Sequence, residues 1–243
     1  MSSINAQIVK ALKSKATNER AVVMIRYFKT GKDQYGAGDV FHGVSVPDQR
    51  NIAKQFYKQA NTVSIRELLQ SKFHEERLTA LFMLTLHFED SFKKGGGKEW
   101  VDLYLDQTTR VNNWDLVDAT AYKILGRWLA DKNKNILYKL AASTNLWENR
   151  IAIVATLYFI KRNDFVDVLE LSKKMLFHSH DLMHKAVGWM LREAWSINPP
   201  PIERFLQEYA PVMPRTTLRY AIEKMTASKR KYFLNLKNHT FKS

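Results

Sequence analysis

Trp114 and Asp118 stand four residues apart in a stretch of helical periodicity, which makes them neighbours on one helix face. A carboxylate partly shielded by an indole can stabilise a cation or orient a water. The same spacing also suits a plainer arrangement, with Trp114 in the core and Asp118 in a salt bridge or cap. Trp189 lies in a different pattern. On a wheel at about 100° per residue, Val187, Met190, Leu191 and Ala194 form an apolar stripe, while Lys185, Trp189, Arg192 and Ser196 share the opposite side. An exposed indole between two cations can stack on a base or sugar while the cations hold phosphates. Alternatively, Trp189 packs under a neighbouring repeat. Arg150 lies near the start of a helix from Asn149 to Ile160 that is apolar almost all round; it can reach a phosphate or pair with Asp118 or Glu148. Arg215 and Arg219, four apart, share a helix face. Lys229, Arg230, Lys231 and Lys237 make a basic tail, about 229–243, that is expected to be solvated.

Other chemistries find no support. The chain has no cysteine, which removes disulfides, Cys-ligated zinc and a Cys nucleophile. His180 and His184 at i and i+4 would offer two imidazoles to a metal if one helix carried both, but no HExxH-type acidic partner accompanies them, and no metal is expected. No nucleophile elbow or Walker motif is present. The net charge of +14 points to a polyanion, nucleic acid before an acidic membrane. Neither a secretory signal nor a run of ~20 apolar residues is visible, and a reducing, cytoplasmic setting is expected.

The elements that must position these residues read as helix after helix. With only 9 Gly and 6 Pro in 243 residues, a turn-rich sandwich or barrel is disfavoured. Ile4 to Tyr27 is helical, with two helices meeting near Thr17 and Asn18. The one long irregular stretch is 30–45, after which Pro47 suits the first turn of a helix to Tyr57. Gly95–Gly97 and Pro199–Pro201 mark further breaks. Arg77, Trp114, Arg150 and Lys185 recur at intervals of 37, 36 and 35 residues, each near the start of an apolar helix, and Arg215 to Ala221 reads as a fifth. From Trp114 onward the core stripe is expected on Val117, Ala121, Ile124 and Trp128. A two-helix unit repeated at this period predicts an all-α, HEAT-like or armadillo-like solenoid of stacked helix pairs, in one domain spanning 1–243.

Three strings then carry a resemblance. Trp114-Asp115-Leu116-Val117-Asp118 resembles the WDxVD motif of AlkD-type DNA alkylation-repair glycosylases. Trp147-Glu148-Asn149-Arg150 is similar to that family's WxxR segment, and Lys185-Ala186-Val187-Gly188-Trp189-Met190-Leu191-Arg192-Glu193 to its KAxGWxLRE segment. Arg26-Tyr27 and Gly43-Val44-Ser45-Val46-Pro47 resemble its N-terminal region, although the stretch 30–45 looks longer here. The resemblance implies a basic, concave DNA-binding face and hydrolysis of the N-glycosidic bond of N3- and N7-alkylated purines in double-stranded DNA, with no metal or organic cofactor. It implies Asp118, Trp114 and Trp189 as catalytic residues. It also implies DNA contacts by Arg150 and Arg192, with Tyr27 a weaker carry-over. Lys185 and Arg219 join these from the helix faces above. A cytoplasmic, nucleoid-associated monomer is expected.

Two other readings stay open. One is a HEAT-like protein that binds damaged or branched DNA without catalysis, in a salt-sensitive way. The other is a protein-interaction scaffold with Trp189 as interface anchor.

Overall fold

The computed structural model describes residues 3–236, which contain no β-strand; their one bridge pairs Val40 with Phe73. Contacts cluster into two compact units, Met1–Thr120 and Ala121–Ser243.

In the first unit, α1 (Ser3–Lys13) and α2 (Asn18–Tyr27) meet at Thr17, whose hydroxyl caps α2 by accepting the Arg20 amide. The irregular stretch ends at Ser45, which caps α3 (Val46–Phe56) through the Asp48 amide, with Pro47 in the first turn. Asn61 caps α4 (Thr62–Leu69). The centre of this unit is α5 (His74–Phe92), buried all round from His74 to Thr85. Both α3 and α4 pack on it, as does α6 (Lys98–Asp106) from the other side of the Gly95–Gly97 break. Polar residues His74, Glu75, Glu76 and Arg77 fill the first turn of α5 although it is buried, so each must find a partner. α7 (Trp114–Ala121) follows.

The second unit begins with a π-turn, Tyr122–Gly126, that continues α7 into α8 (Arg127–Leu129). α9 (Asn135–Ala141) pairs with α10 (Leu146–Ala155), and α11 (Leu157–Ile160) extends it. α12 (Val166–Lys174) packs on α13 (Asp181–Ile197), which also carries α14 (Pro199–Tyr209) and α15 (Arg215–Ala221). α16 (Ala227–Asn235) closes the described chain. The expected helix-pair solenoid is thus present as its repeating unit. The helices α5, α10 and α13 each follow a shorter one, and the periodic residues Arg77, Trp114, Arg150 and Lys185 fall in the first halves of α5, α7, α10 and α13.

Three details sharpen or correct the expectation. Trp128 is half-buried, with the Lys132 ammonium 4.1 Å from its ring centroid, and Leu125 and Leu129 take the core positions instead. A π-turn holds one residue more than an α-turn, so the stripe advances by one past Ile124. The break expected at the three prolines is present: it falls at Asn198, and the prolines open α14 directly after it. Lys229, Arg230 and Lys231 belong to α16, where Lys229 binds Glu203; Lys237 and the rest of the expected tail lie outside the described residues.

Candidate functional site

In the first unit, Tyr27, Trp114 and Asp118 are placed by three segments that meet at His74. Trp114 begins α7 and is half-buried. Phe28 stacks on it, ring centroids 5.4 Å apart and 17° between planes. Tyr27 meets it edge to face at 5.8 Å and is itself 63% exposed at the end of α2. Asp118 lies one turn along α7 from Trp114 and is also half-buried. Neither residue is in the core, unlike the flanking Leu116 and Val117, which are fully buried. The plainer placement of Trp114 therefore does not hold. Beneath α7, the buried Tyr104 hydroxyl lies 3.2 Å from Thr120 Oγ1, which donates to the Leu116 carbonyl. Burial, helped by the nearby charge of Asp118, pushes the Tyr104 phenol far above its usual pKa against that hydrogen bond.

The stretch 30–45 is built into this corner. Glu75, fully buried, accepts three backbone amides from it: His42 at 3.0 Å, Gly43 at 2.8 Å and Val44 at 3.2 Å. Successive amides around one carboxylate form an anion nest, and this one replaces the water that Glu75 lost. His42 adds a contact to Glu76 at 2.8 Å. Gly43 has φ +84°, and a Cβ there would sit 2.0 Å from the Thr17 carbonyl; only glycine fits. Asp39 binds the Arg77 guanidinium, Asn113 Nδ2 at 3.1 Å and His74 Nδ1 at 3.0 Å. The other ring nitrogen of His74 is 2.8 Å from Asp115. Burial opposes a charge on His74, but Asp115 and Asp39 outweigh it and raise its pKa to about 9. The sequence marks Arg77 only as a repeat position and Asp115 and Gly43 only within motif strings; it does not reveal their part in this polar frame, or that of Asp39, His74 and Glu75. An acidic pair opening a helix looks like ordinary dipole compensation, and only the amides of residues distant in sequence reveal otherwise.

In the second unit, Lys185, Trp189 and Arg192 lie along one side of α13, opposite the buried Met183, Ala186, Val187, Met190, Leu191 and Ala194. Trp189 is half-buried. Its two flanking cations are engaged: Lys185 with Asp181 at 2.7 Å, and Arg192 with Glu223 and with Glu193 at 3.1 Å. Arg150 is buried and donates to the Leu182 carbonyl at 2.6 Å, which pins the start of α13 to α10. Arg219 is exposed and, with Arg230 and Lys231, lines a cavity of about 490 Å³ between α15 and α16. His178, His180 and His184 do gather, but in backbone capping. His178 Nδ1 accepts the His180 amide, His180 caps α13 from outside the helix, and His184 Nε2 bonds the His178 carbonyl. Among the described residues no group of three His, Asp or Glu is disposed to hold a metal. None of their helices is long and apolar enough to cross a membrane.

A family model described as "DNA alkylation repair enzyme" matches residues 8–225. A solved structure, the predicted DNA alkylation repair enzyme from Enterococcus faecalis, is similar with a TM-score of 0.70 and 20% identity, covering 88% of this chain and 98% of its own. At that identity the likeness speaks to the fold. No curated protein matches this chain.

Proposed function

From the premise that this chain belongs to the DNA alkylation repair enzyme family, we propose that it is a DNA glycosylase that removes N3- and N7-alkylated purines from double-stranded DNA. Its role in repair of alkylated DNA follows from the family; the reaction is our reading. The observation that carries it is the pairing on α7 of a half-buried indole and a half-buried carboxylate one turn apart, Trp114 and Asp118, with Tyr27 against the indole.

The chemistry suits those groups. Alkylation makes the purine ring cationic, so the C1′–N bond breaks with its electron pair going to the base. The base leaves neutral, and the sugar acquires oxocarbenium character. Asp118 stabilises that charge and orients the water whose oxygen bonds to C1′; the water's proton passes to the carboxylate or to solvent. The indoles of Trp114 and Trp189 offer faces to cationic groups. Because the leaving group is already activated, no strong general acid is required. Lys185, Arg192 and Arg219 serve the phosphate backbone, the first two by exchanging a solvent-accessible carboxylate for a phosphate. Arg150, buried against Leu182, is assigned to DNA through the position of α13.

The test is single-turnover release of free base from a duplex containing one 7-methylguanine, with wild type and Asp118→Asn compared. Release by wild type alone supports the proposal. Equal release by both removes Asp118 from the chemistry. Tight, salt-sensitive binding without release by either moves the protein to non-catalytic DNA recognition.

A further inference from the structure

His74 is a charged group that the chemistry above does not use. It is buried at the first turn of α5, and both its ring nitrogens face carboxylates, Asp39 at 3.0 Å and Asp115 at 2.8 Å. An ionised carboxylate only accepts, so both contacts are hydrogen bonds only if both nitrogens carry protons. The geometry by itself describes an imidazolium. Its ring also packs on Phe28 at 4.8 Å and Phe41 at 5.0 Å, and Phe28 in turn stacks on Trp114.

One cation therefore grips three segments: the stretch 30–45 through Asp39, α5 through its own backbone, and α7 through Asp115. Asp115 directly follows Trp114 and precedes Asp118 by three residues. We propose that His74, as an imidazolium, is a positioning residue that sets the orientation of Trp114 and Asp118 by holding the first turn of α7. This rests on the reading of those two as the reacting pair.

The charge balance around it is tight. Asp39 and Asp115 supply two negative charges; His74 and Arg77 supply two positive ones. Arg110, bonded to the carbonyls of Leu69, Gln70 and Ser71, adds a positive field near Asp39 and Arg77. On α5 itself, Glu75 is occupied by the three amides and Glu76 by His42. When His74 loses its proton, one of its two carboxylates loses its donor in a buried place. With a pKa raised to about 9, that loss falls on the alkaline side of neutrality.

The experiment is a pH series from 6 to 10 on single-turnover base release and on duplex binding, for wild type, His74→Gln and Asp115→Asn. A 15N spectrum of histidine-labelled wild type reports the ring state directly. Wild type is expected to lose release reversibly through about pH 9, with its His74 nitrogens showing the imidazolium pattern at pH 7. His74→Gln is expected to release base at least about tenfold more slowly at saturation, the scale of a misplaced reacting group. Its duplex affinity should be unchanged within about twofold, and its alkaline limb should be absent. Should His74→Gln fail to fold, Asp115→Asn keeps an acceptor but removes a charge, and its limb should move to lower pH. A neutral His74 ring at pH 7, or a His74→Gln variant with the wild-type maximal rate and profile, overturns the proposal. If wild type releases no base at all, the glycosylase reading fails. The positioning claim then stands or falls on the ring spectrum and on whether His74→Gln alters the indole resonance of Trp114.

Discussion

The Gly43 amide donates to Glu75 Oε1 at 2.8 Å, joining the irregular stretch 30–45 to the first turn of the central helix of its unit. A carboxylate fully withdrawn from water would be strongly unfavourable without these amides, so the stretch and α5 form each other's solvation. Glu75→Gln should therefore cost about 2–3 kcal/mol, because the amide side chain brings a donor toward one of three backbone donors. Urea denaturation reads the loss, and limited proteolysis should show new cleavage within 30–45. A variant as stable as wild type would mean the nest is not a stabilising feature.

The glycines of that stretch should respond unequally. Gly43 and Gly38 both have positive φ, +84° and +87°. A Cβ at Gly38 meets nothing within 4 Å, whereas at Gly43 it meets the Thr17 carbonyl at 2.0 Å and the Ala21 amide at 2.8 Å. Gly38→Ala should cost about 1 kcal/mol of backbone strain. Gly43→Ala should cost well over about 2 kcal/mol and loosen the junction between α1 and α2. Equal melting temperatures for the two variants would contradict this.

Stability should also fall on the alkaline side. His74 has a folded-state pKa raised to about 9, above the ordinary value of about 6.5. Such a group contributes fully below the unfolded value, and its contribution is lost as pH rises through the folded one. The window is therefore roughly pH 6.5 to 9, with up to about 3 kcal/mol at stake. Asp39, whose acidity is strengthened because His74 and Arg77 outweigh its burial, acts at the other end and loses its contribution as the medium becomes strongly acidic. Denaturation midpoints for wild type and His74→Gln should converge as pH rises to about 10; parallel curves would refute the linkage.

Helix packing in the second unit depends on Gly188. A Cβ there would lie 2.5 Å from the Thr217 carbonyl and 2.5 Å from Tyr220 Cβ, so α13 and α15 approach backbone to backbone. Gly188→Ala should cost about 2–3 kcal/mol through overpacking and shift Trp189, its neighbour in sequence. Calorimetry reads the first effect and duplex affinity the second.

What the sequence made legible follows from what periodicity can carry. Apolar spacing located α5, α7, α10, α13 and α15 because each buries a stripe against its neighbours, and the junction at Thr17 and Asn18 and the helix start at Pro47 were legible as local signals. The opposite faces of α13 were legible for the same reason. The π-turn at Tyr122–Gly126 was not, since one inserted residue leaves no mark in composition. It ends at Gly126, where a Cβ would lie 2.3 Å from the Ala155 carbonyl. The frame of His74, Asp39, Arg77 and Glu75 escaped for another reason. Asp39 lies 35 and 38 residues before His74 and Arg77, and Gly43 lies 32 before Glu75, and charged residues at a helix start usually mean solvent. Arg192 reads as a free cation because its partner Glu223 lies 31 residues away, whereas Asp181, one turn before Lys185, was within reach of the same helical spacing.

The two aspartates of the Trp114–Asp118 string should separate chemistry from architecture. Asp115 is bonded to the buried His74, and its own amide neighbour Leu116 donates to its second oxygen at 2.9 Å. Asp118 is half-buried one turn along the same helix from Trp114. Asp118→Asn should lower base release by about 10²–10³-fold, the scale of losing one preorganised electrostatic contact to a developing charge, with the helical fold retained by circular dichroism. Asp115→Asn should instead lower stability by about 2–3 kcal/mol. Its rate loss should be partly recovered at lower pH, where His74 holds its proton against a single carboxylate. If Asp115→Asn abolishes release at every pH while Asp118→Asn leaves it intact, the roles are reversed and Asp115 is the reacting carboxylate.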